Sequence, residues 1–464
     1  MSTPRPRDLP PVNAVLDHPA LADARSRHGR EAALRAVRSA LDEARGRLVR
    51  GEAADVEPEA LVRLAASLLD GARPALRPVL NASGILLHTG LGRAPLAAEA
   101  VEAVAEVARG YCNLEIDLDS GDRGKRTADV AALLCRLTGA EAAAVVNNNA
   151  AATVLALRAL AAGREAVVSR GQLIEIGGSF RLPEIFAVSG ARLVEVGTTN
   201  RTRLSDYERA IGPETAVLLR VHPSNYRVVG FTESVGIAEL AALGRSRGLR
   251  TVDDIGSGAL GPDSPPHVVG EPTFAEGLSA GADLVLGSGD KLLGGPQCGL
   301  LVGRRDAIAL VESDPLARAV RVDKMTVAAL EATLRLALDP GLAARRIPLW
   351  SFLKTPVADL HARAERLAGA LRDDPGWNAV AVETTAYLGG GSLPGEALPS
   401  AGVRVGPPWP APWTSEGGWA RALRLGDPAV VPRVQGGAVL FDLRALDPAD
   451  DPSLLAALRR SGAF

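Results

Sequence analysis

One lysine lies where a nucleophilic amine would be chemically useful. Lys291 falls in segment 287–296 (GSGDKLLGGP), directly after an apolar predicted strand at 283–286. The chain has four lysines among its 52 basic residues, so a lysine flanked by glycines is an unusual choice. Glycines let a backbone approach a ligand closely, and a lysine amine can form a Schiff base with a carbonyl group. The alternative is an ordinary lysine in a surface loop.

Three further segments carry polar residues at the ends of predicted strands. Segment 145–150 (VVNNNA) runs into a predicted helix, whose first N–H groups and dipole suit a phosphate. Segment 221–225 reads VHPSN, and segment 252–258 reads VDDIGSG with two adjacent carboxylates. Taken singly, each has a plainer interpretation as an asparagine N-cap or as solvated acids. In series with Lys291 they supply the groups that pyridoxal-phosphate catalysis needs.

In that chemistry the lysine forms the Schiff base, and an aspartate keeps the pyridine nitrogen protonated so that the ring accepts electrons from a carbanion. Asp254 is the candidate for the aspartate. Asn225 or a serine could bind the phenolate oxygen of the ring. The candidates for phosphate contact are Asn148 and Ser288, and Asn149 is a further candidate for binding the cofactor.

Two polar residues near these segments are ambiguous. Gln172 follows the predicted strand that ends at 168, so it could stack on or face the ring. It could equally be a loop residue that bonds to the backbone. His222 is more simply interpreted as a strand-end histidine satisfied within the protein than as a catalyst.

Alternating strands and helices must position these residues. From about residue 76, short Val/Ile/Leu runs alternate with alanine-rich helical patterns, which predicts an α/β fold with a mostly parallel sheet covered on both faces. Ligands of such sheets bind at the carboxyl ends of the strands. The predicted strands are 142–146, 166–168, 192–196, 216–221, 250–252 and 283–286, and the predicted helices are 150–162, 174–186, 204–210 and 237–247.

The patterns divide the chain into three predicted domains: a helical domain at 1–75, a large catalytic domain at 76–340 and a small C-terminal α+β domain at 341–464. The helical domain has eight arginines between residues 25 and 50 against three acidic residues. They form either a solvated helix face or a surface that contacts a phosphate backbone.

Composition excludes several classes of protein. A formal net charge of −2 gives no overall basic field, so we expect no DNA partner. The three cysteines are scattered and form no Cys/His cluster, so we expect neither a metal site nor a disulfide framework. The start MSTPRPRDLPPVN lacks the apolar core of a signal peptide, and no apolar run is long enough to span a membrane. We therefore expect a soluble, cytoplasmic protein.

The order of the candidate residues resembles that of fold-type-I pyridoxal-phosphate enzymes. The steps are 29 residues from Asn225 to Asp254 and 37 from Asp254 to Lys291. This resemblance implies a doubly wound large domain with a seven-stranded sheet, a small C-terminal domain and active sites at a dimer interface.

A more specific resemblance extends from about residue 78 to 335. Motifs in this range are similar to those of bacterial selenocysteine synthases, the L-seryl-tRNA(Sec) selenium transferase family. The segments that carry the resemblance are 81–89 (NASGILLHT), 91–96 (LGRAPL), 113–115 (NLE), 146–150 (VNNNA), 169–172 (SRGQ), 175–181 (EIGGSFR), 224–227 (SNYR), 288–297 (SGDKLLGGPQ) and 321–324 (RVDK).

The resemblance implies an activity and its partners. The family converts seryl-tRNA(Sec) to selenocysteinyl-tRNA(Sec) with pyridoxal 5′-phosphate and with selenophosphate as the selenium donor. It forms a homodecamer, a ring of five dimers, and binds the tRNA through its N-terminal domain. Gly90 departs from the family pattern, in which we expect an asparagine.

The resemblance also assigns roles to individual residues. Lys291 becomes the Schiff-base lysine, Asp254 the acid at the pyridine nitrogen, and Asp290 an acid beside the lysine. The arginines that bind the selenium donor fall on Arg93, Arg318 and Arg321. Arg318 and Arg321 are three residues apart, so we expect them to share one helical face. Considered without the family, these arginines could equally form surface or dimer salt bridges.

Two alternatives stay open at this point. A related fold-type-I lyase or aldolase acting on a small amino acid would need no helical N-terminal arm. A non-catalytic tRNA-binding or scaffold protein would need no cofactor-binding lysine.

Overall fold

Two units make up the chain, residues Met1–Pro78 and Val79–Phe464. The computed structural model describes residues 5–50, 56–70, 76–176, 180–262, 264–265, 268, 270–374, 376–410 and 412–462. Within these residues, no helix combines the length and the apolar character needed to cross a membrane.

The first unit is helical. Its helices are α1 (Val12–Leu16), α2 (Ala22–His28), α3 (Arg30–Val49) and α4 (Pro58–Asp70). Gly29 separates α2 from α3 with a φ of +82°, a backbone conformation that glycine adopts at little cost. Alanine, valine and leucine residues spaced three or four apart bury one face of α3, and its arginines lie on the exposed face.

A seven-stranded sheet forms the centre of the second unit. Its strands are β2 (Ala142–Val146), β3 (Glu165–Ser169), β6 (Arg192–Val196), β7 (Thr215–Val221), β8 (Arg250–Gly256), β9 (Leu284–Ser288) and β10 (Gly299–Gly303). The order across the sheet is β2-β10-β9-β8-β7-β3-β6, and β10 alone runs antiparallel to its neighbours. The predicted doubly wound, mostly parallel seven-stranded sheet is confirmed.

Helices cover both faces of this sheet, so its central strands β7, β8 and β9 are buried along most of their length and contribute apolar side chains to the cores on both faces. The helices are α5 (Ala98–Ala108), α6 (Ala128–Thr138), α7 (Asn149–Ala161), α8 (Leu182–Val188), α9 (Leu204–Ala210), α10 (Ile237–Arg247), α11 (Phe274–Ser279), α12 (Arg305–Ser313), α13 (Pro315–Ala319), α14 (Lys324–Ala337), α15 (Pro340–Arg346) and α16 (Pro348–Lys354).

A five-stranded sheet forms the C-terminal part of this unit. Its strands, in the order β1-β13-β14-β12-β11, are β1 (Val79–Ala82), β13 (Ala429–Gln435), β14 (Ala438–Asp442), β12 (Ser392–Val405) and β11 (Ala379–Gly389). Helices α17 (Val357–Arg372), α18 (Glu416–Leu425) and α19 (Asp451–Ser461) accompany it. Strand β1 pairs in parallel with β13, so this segment of the predicted large domain belongs to the small sheet.

The predicted helix at 174–186 is wrong. The structure has the short strands β4 (Glu175–Ile176) and β5 (Phe180–Arg181) there, followed by α8, which begins at Leu182. Gly177 and Gly178 have low helix propensity. Pro183 suits the first turn of a helix but not its interior, so the helix begins just before it.

The loop that carries Lys291 is fixed by hydrogen bonds on both sides of Leu292. The Leu292 N–H donates to the Ser257 carbonyl at 2.9 Å, and its carbonyl accepts from the indole Nε1 of Trp350 at 2.8 Å. Both Trp350 and Leu292 are fully buried. The fold thus holds the backbone next to Lys291 from β8 and from α16.

Trp350→Phe tests this support. The substitution removes the indole donor and leaves the buried Leu292 carbonyl without it, which costs about 1–3 kcal/mol of unfolding free energy. Urea unfolding of the variant and the wild type measures the difference. Equal midpoints would show that the hydrogen bond contributes nothing to stability.

Candidate active site

A cavity of about 410 Å³ lies where β7, β8 and β9 end and α7 begins. This is the edge of a parallel sheet at which ligands bind. The chemically important side chains that line it are Arg93, Asn148, Asn149, Thr153, His222, Ser224, Asp254, Ser288, Asp290, Lys291 and Cys298.

Asp254 is a buried carboxylate at the end of β8. It accepts hydrogen bonds from Asn149 Nδ2 at 2.9 Å, from Thr153 Oγ1 at 2.8 Å and from the Gly256 N–H at 3.1 Å. Burial raises the pKa of Asp254, and the donors of Asn149 and Thr153 oppose that rise because they stabilise the charged form. Its oxygens are therefore fixed in position and supported as acceptors of a positive group.

The adjacent carboxylate, Asp253, has a different role. Successive strand residues face opposite sides of a sheet, and both oxygens of Asp253 accept from Arg220, through Nε and Nη2 at 2.7 Å each. Asp253 is fully buried. Burial raises its pKa, whereas the charge and the hydrogen bonds of Arg220 lower it. The two acids of the predicted pair thus serve separate sites, and Asp254 alone lines the Lys291 cavity.

The amine of Lys291 lies in the cavity next to a glycine, Gly391. A Cβ added at Gly391 would lie 3.4 Å from Lys291 Nζ and 3.3 Å from Ser224 Oγ. Burial lowers the pKa of Lys291, and the charge of Arg93 lowers it further, whereas Asp290 and Asp254 oppose the change. The site therefore favours a neutral amine, the nucleophilic form, more than water does.

Asp290 and Arg93 form an ion pair beside this amine. Asp290 Oδ2 accepts from Arg93 Nη1 at 2.6 Å, and Asp290 Oδ1 is buried without a hydrogen-bond partner among the described residues. Arg93 has a φ of +65°, which is unfavourable for a residue with a side chain. Its backbone N–H donates to the His88 carbonyl at 3.1 Å.

The start of α7 supplies a place for an anion. The helix has 13 residues and begins at Asn149, and residues 148–150 line the cavity. The first N–H groups of a helix lack intrahelical acceptors and lie at the positive end of its dipole. Asn148 caps the helix, because its side-chain oxygen accepts from the Ala151 N–H at 2.8 Å.

These features fit pyridoxal phosphate. The cavity contains a lysine amine, a carboxylate that accepts from three donors, and a helix N-terminus. It also carries Asn149 Oδ1 and Asp290 Oδ1, two buried oxygens without a hydrogen-bond partner in the part of the chain that the structure describes. Glycine at 256 and at 391 leaves room beside Lys291 that a side chain would fill. Among the described residues, no group of three His, Cys, Asp or Glu side chains could hold a metal ion.

A separate cavity of about 600 Å³ is lined by basic residues. Its charged side chains are Arg123, Lys125, Arg126, Arg318 and Arg321, with Glu115 and Glu312. Glu115 pairs with Arg126 and Arg123 at 2.8 Å and with Arg321 at 3.5 Å. The hydrogen bonds from Arg126 and then Arg123 lower the pKa of Glu115 to about 2, so it stays ionised at any ordinary pH.

Two family models match the chain. The model described as L-seryl-tRNA selenium transferase matches residues 79–447, and the selenocysteine synthase N-terminal model matches residues 6–45. The chain belongs to the L-seryl-tRNA(Sec) selenium transferase family. It is therefore a transferase of the pyridoxal-phosphate-dependent, fold-type-I class.

Relatives of this name match almost the whole chain. That of Moorella thermoacetica is 48% identical over 458 residues, covering 97% of this chain and 96% of its own. That of Desulfomicrobium baculatum is 50% identical and covers 90% of both chains, and that of Rhizobium meliloti is 46% identical and covers 97% of both.

Among solved structures, D-glucosaminate-6-phosphate ammonia-lyase is similar in fold. The TM-score is 0.58 at 21% identity, with 83% of this chain and 96% of that chain covered. At this identity the likeness concerns the fold alone.

The structure brings most of the predicted site residues of this family member together. The ones that line the Lys291 cavity are Lys291, Asp254, Asp290, Arg93, Asn148, Asn149 and Ser288. Their roles stay predictions.

Two predicted cofactor residues lie outside the cavity. The amide oxygen of Gln172 accepts from the Val221 N–H at 3.0 Å, so this residue bonds to the backbone and lines a neighbouring cavity. Asn225 is exposed, and its Nδ2 donates to the Glu175 carbonyl at 2.9 Å. The adjacent Ser224 is buried and lines the Lys291 cavity instead.

The expectation that Arg318 and Arg321 share a helical face is wrong. Helix α13 ends at Ala319, and Arg321 forms an antiparallel bridge with Val146 at the end of β2. Pairing with the sheet edge pulls the chain out of the helical path. The two arginines still line one cavity, but that cavity is not the one that contains Lys291 and Arg93.

Sequence reasoning missed Thr153 and Ser224. Thr153 follows Asn149 by four residues on α7, so a helical projection from Asn149 would have placed both beside Asp254. Ser224 and Asn225 are neighbours at a strand end, and nothing in the sequence decides which of them turns inward.

Arg93→Leu tests the electrostatics of the lysine. Loss of the positive charge, together with release of Asp290, favours the protonated amine, so the pKa of Lys291 rises. We expect the pH midpoint for pyridoxal-phosphate uptake by the apoenzyme to move upward, as followed by absorbance. Arg335→Leu, which removes a surface partner of Glu331, is the control. An unchanged or lower midpoint would contradict the claim that the charge of Arg93 lowers the pKa of Lys291.

Proposed function

We propose that this chain converts L-seryl-tRNA(Sec) to L-selenocysteinyl-tRNA(Sec) with selenophosphate as the selenium donor. β-Elimination releases the seryl hydroxyl as water and gives aminoacrylyl-tRNA. The selenium of selenophosphate then bonds to Cβ while Cα gains a proton, and hydrolysis of the P–Se bond releases phosphate. Membership of the family supports the substrate. The observation that carries the chemistry is the meeting of Lys291, Asp254 and the start of α7 in one cavity.

Pyridoxal phosphate would be held by these same groups. Lys291 would bind it covalently, Asp254 would pair with its ring nitrogen, and the start of α7 with Ser288 would take the phosphate. Ser224, which is buried beside Lys291, suits the phenolate oxygen better than the exposed Asn225. When bound, the cofactor supplies an electron-withdrawing ring that acidifies the Cα proton of the amino acid.

The residues of the chain move and hold the protons. The lowered pKa of Lys291 favours the neutral amine, which can accept the Cα proton at Nζ. Asp290 Oδ1 has no partner among the described residues, so it can accept a hydrogen bond from the seryl hydroxyl and orient the leaving group. Arg93 holds Asp290 in place through the other oxygen.

The selenium donor is a multiply charged oxyanion, which guanidinium groups bind through charge-assisted hydrogen bonds. Arg93 lies at the Lys291 cavity, whereas Arg318 and Arg321 line another cavity of the same chain. A donor site built from all three therefore needs a second copy of the chain. This supports the proposal of a dimer-based homo-oligomer, in the family form a homodecamer.

The N-terminal unit is proposed to bind the tRNA. Arg35, Arg38 and Arg45 are exposed on the side of α3 opposite the buried alanine and leucine face. Such a row contacts a phosphate backbone without reading sequence. We propose the cytoplasm as the location, since the cysteines Cys112, Cys135 and Cys298 are free thiols.

Lys291→Ala tests the proposed chemistry. We expect loss of the cofactor absorbance and a fall in selenium transfer to seryl-tRNA(Sec) of at least about a thousandfold, because both the covalent attachment and the base are removed. The measurement is absorbance together with radioactive selenium transfer. Lys354→Ala, at an exposed lysine ending α16, is the matched control. Undiminished transfer by Lys291→Ala would refute the proposal.

Arg38→Gln combined with Arg45→Gln tests the tRNA surface. Both arginines are exposed on α3. If each contacts a phosphate, the slope of log K against log salt for tRNA binding falls by roughly 1.8. The double variant Arg335→Gln/Arg366→Gln in the second unit serves as the comparison. An unaltered slope would remove this face from the binding surface.

A further inference from the structure

A second cavity, of about 400 Å³, adjoins the one that contains Lys291. Val221 and His222 line both cavities and so form the wall between them. The second cavity has a polar lining that includes Asn200, Arg220 and Glu271, and its size falls within the range of small-ligand sites. None of the residues with a proposed role in the reaction lines this second cavity.

Glu271 is the residue of this cavity that points to a ligand. Its side chain is 2% exposed. Oε1 accepts from the Leu393 N–H at 2.5 Å, whereas Oε2 has no hydrogen-bond partner among the described residues. His222 Nε2 lies 3.7 Å from Oε2, beyond hydrogen-bond distance. A buried carboxylate oxygen without a donor is costly, so a donor from a bound molecule would stabilise it.

The wall of this cavity lies close to the reacting amine. Leu393, which lines the cavity, has a φ of +44°, and such strained backbone persists where neighbouring contacts fix it. Two residues earlier, Gly391 lies beside Lys291 Nζ, since a Cβ there would be 3.4 Å away. The charge of Glu271 also acts on Lys291 and raises the pKa of its amine. Groups bound at Glu271 are therefore near neighbours of groups bound at Lys291.

The covalent structure of the proposed substrate indicates which part of it would occupy the second cavity. In seryl-tRNA the carboxyl carbon of serine is esterified to the terminal ribose, so few bonds separate the Cα from the sugar. When Lys291 reaches the Cα proton, the ribose must occupy space that adjoins the Lys291 cavity. A ribose hydroxyl is a donor, and Glu271 Oε2 is an acceptor that lacks one.

We propose that the second cavity binds the 3′-terminal nucleoside of the aminoacyl-tRNA and that Glu271 Oε2 accepts a hydrogen bond from its ribose hydroxyl. This inference rests on the proposed function and names the part of the substrate that fixes the seryl group at Lys291. Glu271 thereby distinguishes a ribose terminus from a deoxyribose terminus.

The test combines a protein variant with a substrate variant. Glu271→Gln keeps an oxygen for the Leu393 N–H and replaces the acceptor at Oε2 with an amide NH₂. The probes are tRNA(Sec) molecules that carry serine in a stable 3′-amide linkage, with either a ribose or a 2′-deoxyribose terminus. Dissociation constants are measured for the wild type, for Glu271→Gln and for the control Glu331→Gln, whose glutamate pairs with a surface arginine of α14.

We expect the deoxy terminus to weaken binding to the wild type and to the control by about tenfold or more, as for a hydrogen bond to a charged group. For Glu271→Gln the deoxy terminus should cost less than about twofold, because the interaction is already lost. Equal deoxy penalties in all three proteins, or no penalty in the wild type, would overturn the inference.

Two further measurements distinguish a direct contact of Glu271 with the ribose from a structural effect of the substitution. Cofactor absorbance and Tm of Glu271→Gln are recorded in parallel. Weaker binding with lower absorbance and Tm but an unchanged deoxy penalty shows a structural role and overturns the inference. If the wild type neither binds the ribose probe nor converts seryl-tRNA(Sec), the proposed function itself fails, and the inference fails with it.

Discussion

The buried carboxylate of Asp254 is the constraint on which the site depends. A carboxylate that has lost its water must receive donors from the protein, and Asn149, Thr153 and the Gly256 N–H supply them. Two of these donors come from the first turns of α7, the helix that also offers its N-terminus to the cavity. The need to satisfy one buried acid therefore fixes α7 against β8, and the anion site and the acid are positioned together.

Close packing also determines the surroundings of Lys291. Its amine lies beside Ser224 and the glycine at 391, at the tip between β11 and β12, so this tip of the small sheet lies next to the reactive amine. Glycine at 389, 390 and 391 has positive φ throughout, which lets this tip turn tightly. A Cβ at 390 would lie 2.7 Å from the Leu87 carbonyl oxygen, so the close approach requires glycine there.

The sequence predicted the parts of the site that depend on strand ends. Lys291, Asp254 and the start of α7 each lie at the end of a predicted strand, and parallel strands bring their carboxyl ends to one edge. The sequence does not determine which of two neighbouring residues turns inward after a strand: the predicted residue is Asn225, whereas the buried one is Ser224. A turn is decided by contacts with distant segments, here the Glu175 carbonyl, which local patterns do not contain.

The separation of Asp253 from Asp254 shows how one strand serves two environments. Asp254 faces the Lys291 cavity, whereas Asp253 holds Arg220, which lines the second cavity. His222 and Glu271 lie at the same boundary. Val221 and His222 form the wall between the two cavities, and Glu271 Oε2 beside it is a buried acceptor without a donor among the described residues. In the binding mode that we propose, the ester between the amino acid and the sugar of the substrate links the two cavities.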